Sequence, residues 1–189
     1  MQSKTNTFNL ALTGMLIAVG IVIPLFSPVK IILEPASFTL ASHVAIFIAM
    51  FISPAMAVAV SLGTTLGFFL AGFPLTVVLR ALTHVIFALA GAIYLKKHDN
   101  APIQSVRSSL GFSFVIGVLH AFCEVLVVLP FYLNGSLPQA NYEKSFFVSI
   151  FLLVGVGSVI HSMVDMCISI WLYKPISSVY DRLGVRAGA

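Results

Sequence analysis

The sequence predicts an all-α membrane protein, a bundle of six transmembrane helices with both the N- and C-termini in the cytoplasm. The first observation is composition: 59% of the 189 residues are hydrophobic and 8% are charged, whereas soluble domains are about 25% charged. The second is the length of the apolar segments, since a membrane helix needs about 20 mostly apolar residues. The third is that most lysines and arginines lie at the ends of these segments, as in membrane proteins. This distribution also argues against nucleic-acid binding, which needs a stripe of basic residues.

Six apolar segments make up the single membrane domain, residues 1–189, that the sequence predicts. They lie at about residues 8–26, 37–52, 54–71, 75–95, 108–132 and 145–173. The second segment is slightly short for a span and follows a loop with the sequence SPVKIILEPAS. The third begins with Ser53 as N-cap and Pro54 at the first helical position. The sixth is longer than a span needs and is expected to end at Pro175.

The distribution of lysines and arginines predicts the orientation of the bundle. With six spans, one side carries most of the basic residues: Lys4, Lys96, Lys97, Arg107, Lys174, Arg182 and Arg186. The opposite side holds Lys30 and Lys144, each near an acid, Glu34 and Glu143. The positive-inside rule therefore places both termini in the cytoplasm.

The stretch LTVVLRALTH, residues 75–84, places Arg80 and His84 one helical turn apart in an apolar segment. A fixed cation in a membrane helix costs about 2.5–3.5 kcal/mol on insertion scales, so it marks a functional site by default. Depth can be counted at about 1.5 Å per residue from the predicted helix ends. This count brings further ionisable side chains of other helices towards the same outward-facing cavity: His43, His120, Glu124 and His161.

Each of these groups also has a purely structural interpretation. Arg80 and Glu124 could form only a structural ion pair, and each buried histidine could be a satisfied core residue. Arg80 is the stronger candidate for ligand binding, because its guanidinium stays protonated and suits bidentate recognition of a carboxylate. His161 and Asp165 share one helix face, and we expect Asp165 to make a helix-packing hydrogen bond. No metal site is expected, since no further acid or cysteine at matching depth has ligand spacing.

Small residues at four-residue spacing on two helices allow close approach of backbones in lipid. Gly63, Gly67 and Ala71 share a face of the third helix, where internal packing is the favoured interpretation. Ala11, Gly14 and Ala18 share one side of the first helix. The sequence contains no Walker A motif, no G-x-S-x-G and no HExxH, nor the duplicated halves of many secondary transporters. A small bundle with a pocket and no motor favours a binding subunit that uses a partner's motor.

The chain resembles a substrate-binding S-component of an energy-coupling factor (ECF) vitamin transporter over essentially its whole length. The resemblance lies in four features: the size of about 190 residues, the six predicted helices, the loop with PVKIILEP and the small-residue motif of the first helix. Gly14 stands where the family's A-x-x-x-A motif has its first alanine, with Ala18 at the second position. The stretches EPASFTLASH, GTTLGFFLAGFP and VLRALTH are most similar to niacin-specific members.

The resemblance implies a multi-pass, non-enzymatic protein of a bacterial cell membrane that binds niacin with high affinity. Its partners would be a transmembrane coupling subunit, docked through Ala11, Gly14 and Ala18, and two ATPase subunits that use ATP. The chain itself would hold no cofactor. The loop after the first helix would close over the substrate, and the subunit would topple in the membrane on docking.

We expect Arg80 to bind the carboxylate of nicotinate and a histidine or tyrosine to reach the ring nitrogen. The full set of expected substrate-binding residues is Glu34, His43, Arg80, His84, His120, Glu124, Tyr132 and His161. Pantothenate, also a carboxylate, remains the main alternative substrate. Two other functions remain open: an intramembrane metal-dependent hydrolase using His120, Glu124, His161 and Asp165, and a self-sufficient channel or carrier.

Overall fold

The computed structural model describes residues 2–33 and 36–182. Its helices are α1 (Gln2–Phe26), α2 (Val44–Ile52), α3 (Pro54–Leu70), α4 (Leu75–Lys97), α5 (Val106–Leu133) and α6 (Gly157–Arg182). A two-stranded antiparallel hairpin, β1 (Lys30–Leu33) and β2 (Ala36–Thr39), connects α1 to α2. A π-helical segment, Phe147–Val156, leads directly into α6, and short 3₁₀ turns occupy Ala101–Ile103 and Gln139–Tyr142.

The helices form an all-α membrane bundle around α2. In the described part of the chain, four helical segments are long and apolar enough to cross a membrane: Asn6–Phe26, Leu75–Lys97, Val106–Leu133 and Phe147–Tyr180. The helix α3 is a shorter apolar helix. All nine residues of α2 are buried, whereas large apolar side chains such as Leu70 and Phe122 are exposed on the outside of the bundle. Lipid solvates such side chains, so the outer surface needs no polar cover.

The second predicted helix is wrong over its first part. A helix was expected over residues 37–52, but β2 occupies Ala36–Thr39 and α2 begins only at Val44. Ala41 has a φ of 67°, a left-handed conformation that a right-handed helix cannot pass through. The carboxylate of Asp165, far away in sequence, accepts hydrogen bonds from the backbone N–H groups of Ala41 and His43 and stabilises this turn. The loop predicted before this helix contains the hairpin instead.

The connection between α2 and α3 follows the local sequence closely. The hydroxyl of Ser53 accepts a hydrogen bond from the backbone N–H of Met56, and Pro54 occupies the first turn of α3. The predicted N-cap is therefore confirmed. It could be predicted because capping preferences depend on neighbouring residues only.

The last helix does not end at Pro175. It continues to Arg182, nine residues beyond the predicted boundary, with Pro175 inside it. A proline within a helix costs about 3 kcal/mol, and tertiary contacts at the end of α6 offset this cost. Tyr180 is buried, its ring lies edge-on to Phe8 at 5.3 Å, and its hydroxyl lies 2.6 Å from the side-chain oxygen of Asn9.

The two small-residue faces have different environments. Gly63 and Gly67 pack against Ile17 and Ile21 of α1, and a methyl group at Gly63 would lie 2.6 Å from Ile17 Cδ1. The internal-packing interpretation of this glycine row is therefore confirmed. On α1, Gly14 is exposed, and a methyl group placed there would meet no atom of the described residues within 4 Å.

Candidate substrate-binding site

A cavity of about 350 Å³ lies at one end of the bundle. It is enclosed by the ends of α1, α3 and α5, the start of α4 and the β1–β2 hairpin. Its volume is at the small end of the range of about 300–1,000 Å³ that ligand pockets occupy. Its wall is mostly apolar, with these polar or ionisable side chains among its lining: Lys30, Ser42, His43, Thr64, Arg80, His84, Glu124, Asn141 and His161.

An ion pair between α4 and α5 forms part of the cavity wall. Arg80 donates from Nε to Glu124 Oε1 at 3.0 Å and from Nη2 to Glu124 Oε2 at 3.0 Å. The hydroxyl of Ser158 donates a further hydrogen bond to Glu124. The structural ion pair considered from the sequence is thus present. It uses two of the five N–H groups of Arg80, and the other three make no hydrogen bond to the described residues.

Four histidines from different elements meet beside this ion pair. The ring of His43 lies 4.8 Å from that of His84, 4.7 Å from that of His120 and 5.0 Å from that of His161. His43, His84 and His161 line the cavity, and His120 lies behind them. Convergence of these side chains, predicted from depth along separate helices, is therefore present in the structure.

Asp165 has a packing role, as the sequence suggested. Its carboxylate accepts from the backbone N–H of Ala41 at 2.7 Å and of His43 at 2.9 Å, and it lies 3.1 Å from His43 Nδ1. His161 Nε2 lies 3.4 Å from the same carboxylate. Asp165 is absent from the residues that line the cavity, so it acts on the site through His43.

Sequence reasoning missed several polar residues of the cavity lining: Lys30, Ser37, Thr39, Ser42, Thr64, Thr76 and Asn141. Lys30 and Thr64 are the most informative of these. Lys30 served only as an orientation signal, but the hairpin places its side chain at the cavity, where its ammonium donates to the carbonyl oxygen of Pro24 at 3.0 Å. Thr64 lines the cavity from α3 and has a buried hydroxyl without a hydrogen-bond partner in the described residues. For Thr64, the sequence did contain a signal, a polar residue within an apolar segment. For Lys30 it contained none, because the position of this side chain at the cavity depends on the pairing of β1 with β2.

The remaining predicted site residues lie elsewhere. Tyr132 does not contribute to the cavity lining, and its ring packs against those of Tyr142 at 4.9 Å and Phe146 at 5.6 Å. Glu34 lies outside the described residues. Substrate binding by the predicted residues therefore remains a prediction, which the cavity supports most directly for Arg80 and His84.

The charges of the cavity indicate what it can bind. Among the described residues of the lining, two fixed cations, Lys30 and Arg80, and one carboxylate, Glu124, leave one positive charge when the imidazoles are neutral. A small apolar cavity with one excess positive charge suits a small organic anion. Fold and site together define a membrane protein with a cavity of the size and charge that suit a small organic anion.

Comparison with known proteins identifies the family. No protein-family model matches the chain, and no solved structure matches it. The chain is 42% identical over 177 residues to the niacin transporter NiaX of Lactococcus lactis subsp. cremoris (strain MG1363), an alignment covering 94% of this chain and 78% of that protein. The chain therefore belongs to the family of this niacin transporter, which confirms the resemblance to niacin-type S-components. A relative that is a transporter favours a non-enzymatic protein over the hydrolase alternative.

Proposed function

We propose that this protein is the niacin-binding membrane subunit of an ECF-type transporter. The observation that carries the proposal is a small cavity with excess positive charge, in a chain that belongs to the family of a niacin transporter. Niacin in its nicotinate form is a pyridine ring with one carboxylate, so it matches the cavity in both size class and charge. The carboxylate binds the free N–H groups of Arg80 and the ammonium of Lys30.

The rest of the cavity provides surfaces for the aromatic ring. Phe68 and Phe73, whose rings stack at 4.7 Å, lie in the cavity wall and offer an apolar face. The ring nitrogen then points towards the histidines, of which His84 has no hydrogen bond to any described residue. Pantothenate is the weaker candidate, because a flexible chain loses more conformational freedom on binding than a rigid ring does.

Binding to the purified chain tests this function. Titration calorimetry is expected to show tight binding of nicotinate and weaker binding of nicotinamide, which lacks the negative charge. Tighter binding of pantothenate than of nicotinate, or no binding of either, would overturn the proposal. In lipid vesicles the chain alone should bind niacin without accumulating it, whereas uptake without an ATPase partner would favour a self-sufficient carrier.

The membrane topology belongs to the same proposal: six crossings, both termini in the cytoplasm of a bacterial cell, and the cavity open to the outside. The basic end of α4, Lys96 and Lys97, lies at the far end of that helix from Arg80, which supports this orientation. The second crossing combines β2 with the short α2. After replacement of Cys123 and Cys167, a cysteine at Leu137 should react with an impermeant thiol reagent in whole cells, and one at Gln104 should not.

The coupling subunit docks on the exposed face of α1 that carries Ala11, Gly14 and Ala18. All three residues are exposed, so this face has room for a helix of the coupling subunit. Gly14→Leu is expected to leave niacin binding unchanged but to abolish ATP-driven uptake and co-purification with the coupling subunit. Ala90→Leu, an exposed position on α4, is the matched control. Normal uptake by the Gly14→Leu variant would exclude this docking face.

A further inference from the structure

Three buried histidines near the cavity form a cluster with the spacing of a metal centre. His43 precedes α2, His84 lies on α4 and His120 lies on α5, and one ring nitrogen from each lies within 4.8 Å of the others. Their exposed fractions are 6%, 7% and 0%. The histidines are far apart in the chain, so the spacing rules that led to the expectation of no metal site do not apply to them.

Each member of this histidine triad (His43, His84 and His120) keeps at least one ring nitrogen that makes no hydrogen bond to the described residues. His43 Nδ1 is paired with the carboxylate of Asp165, and His120 Nδ1 lies 2.5 Å from the hydroxyl of Ser162. Such pairing is typical of metal-binding histidines, because it orients the ring and directs the other nitrogen to the metal.

The buried ring nitrogens of His84 are costly unless something binds them, because neither makes a hydrogen bond to the described residues. His120 Nε2 is also buried and has only the carboxylate of Glu124 nearby, with Oε1 at 3.4 Å. A buried polar atom without a partner loses its hydration without compensation. A cation among the three rings would accept one lone pair from each and remove this cost.

We propose that the histidine triad binds one divalent transition-metal ion, with zinc as the best match. Zinc accepts three histidines in a tetrahedral site with one open position, and neutral imidazole suits zinc and its neighbours better than magnesium or calcium. Ligand nitrogens in such a site lie about 3.3 Å apart, so the rings move closer together when the ion binds. A second grouping, His43 with His161 and Asp165, is less suitable, because Asp165 already accepts two backbone hydrogen bonds.

The open position of the metal faces the cavity. His43 and His84 line the cavity, whereas His120 closes the triad from behind. On the proposed function, the pyridine nitrogen of niacin occupies this position while the carboxylate binds Arg80. The ion then supplies an electron-pair acceptor for the ring nitrogen, which distinguishes niacin from benzoate, the same anion without a ring nitrogen.

Cobalt substitution tests the metal site directly. The purified full-length chain is stripped with a chelator and titrated with Co²⁺, whose tetrahedral complexes absorb visible light. We expect one equivalent to bind, to be displaced by Zn²⁺, and to be lost in His84→Ala. His98→Ala is the matched control, since His98 is exposed and outside the triad. Circular dichroism and size-exclusion chromatography verify that each variant folds.

The outcomes separate this inference from the proposed function. No cobalt spectrum in the parent chain, or an unchanged one in His84→Ala, would overturn the metal site even if niacin still binds. If His84→Ala does not fold, Ser162→Ala replaces it, with an expected loss of about 10- to 100-fold in metal affinity. Nicotinate, but not benzoate, should shift the cobalt spectrum, and chelation should weaken nicotinate binding at least tenfold. A spectrum that nicotinate leaves unchanged would overturn coordination of the substrate.

Discussion

Two helices of the bundle carry the same short pattern, a histidine followed four residues later by an acid, and use it differently. On α5, His120 precedes Glu124, whose carboxylate pairs with a side chain, Arg80, in the cavity wall. On α6, His161 precedes Asp165, whose carboxylate accepts hydrogen bonds from backbone N–H groups just before α2. Both acids are buried, so both need partners.

The type of partner decides the role of each acid. Two of the donors to Asp165 are backbone N–H groups, which cannot leave without unfolding the turn that positions His43. The charged donor to Glu124 is the long side chain of Arg80, which can shift towards a ligand and still keep one hydrogen bond. The pattern on α6 therefore stabilises the fold, and the pattern on α5 holds Arg80 in the cavity wall. Substitutions at the two acids can test this difference.

The largest expected effect is that of Asp165→Ala. It leaves two backbone N–H groups and one imidazole without their acceptor, and each unsatisfied group costs about 1–3 kcal/mol. We expect a large fall in the thermal unfolding midpoint in detergent, together with loss of niacin binding. Asp165→Asn, which keeps an acceptor oxygen for only one of the two backbone N–H groups, should recover only part of the stability. A midpoint equal to that of the parent chain in Asp165→Ala would contradict the structural role.

The next effect is that of removing the Arg80–Glu124 pair. Arg80→Gln leaves a buried carboxylate without its counterion, which costs about 3–5 kcal/mol. Adding Glu124→Gln removes that charge, so the double variant should regain most of the stability. Both variants should lose niacin affinity in calorimetry, because the carboxylate of niacin has lost its cation. A stable double variant that still binds niacin with full affinity would show that Arg80 serves only the ion pair.

The smallest effect on stability is expected for Lys30→Gln. Lys30 is exposed and makes one hydrogen bond, to the carbonyl of Pro24, so the unfolding midpoint should not change. Niacin affinity should fall by up to about fivefold, the range of an exposed ion pair, and should depend less on salt. Lys144→Gln, an exposed lysine outside the cavity lining, is the matched control. Equal effects of the two substitutions would remove Lys30 from the site.

The amino-acid sequence by itself determined the features that depend on local chemistry or on composition. Low charge content specified a membrane protein, Ser53 and Pro54 specified the start of α3, and the Gly63 and Gly67 row specified close helix packing. The convergence of Arg80 with the histidines was also predictable, because depth in a membrane follows from helix length. These inferences need no knowledge of which helices are neighbours.

Only the tertiary structure decided the features that depend on contacts between distant residues. The start of α2 depends on Asp165, the continuation of α6 through Pro175 depends on the packing of Tyr180, and the position of Lys30 depends on strand pairing. The histidine triad likewise exists only because three separate elements meet. Helix propensity differs between residue types by at most about 3 kcal/mol per residue, the value for proline. A few buried long-range contacts are therefore sufficient to override it.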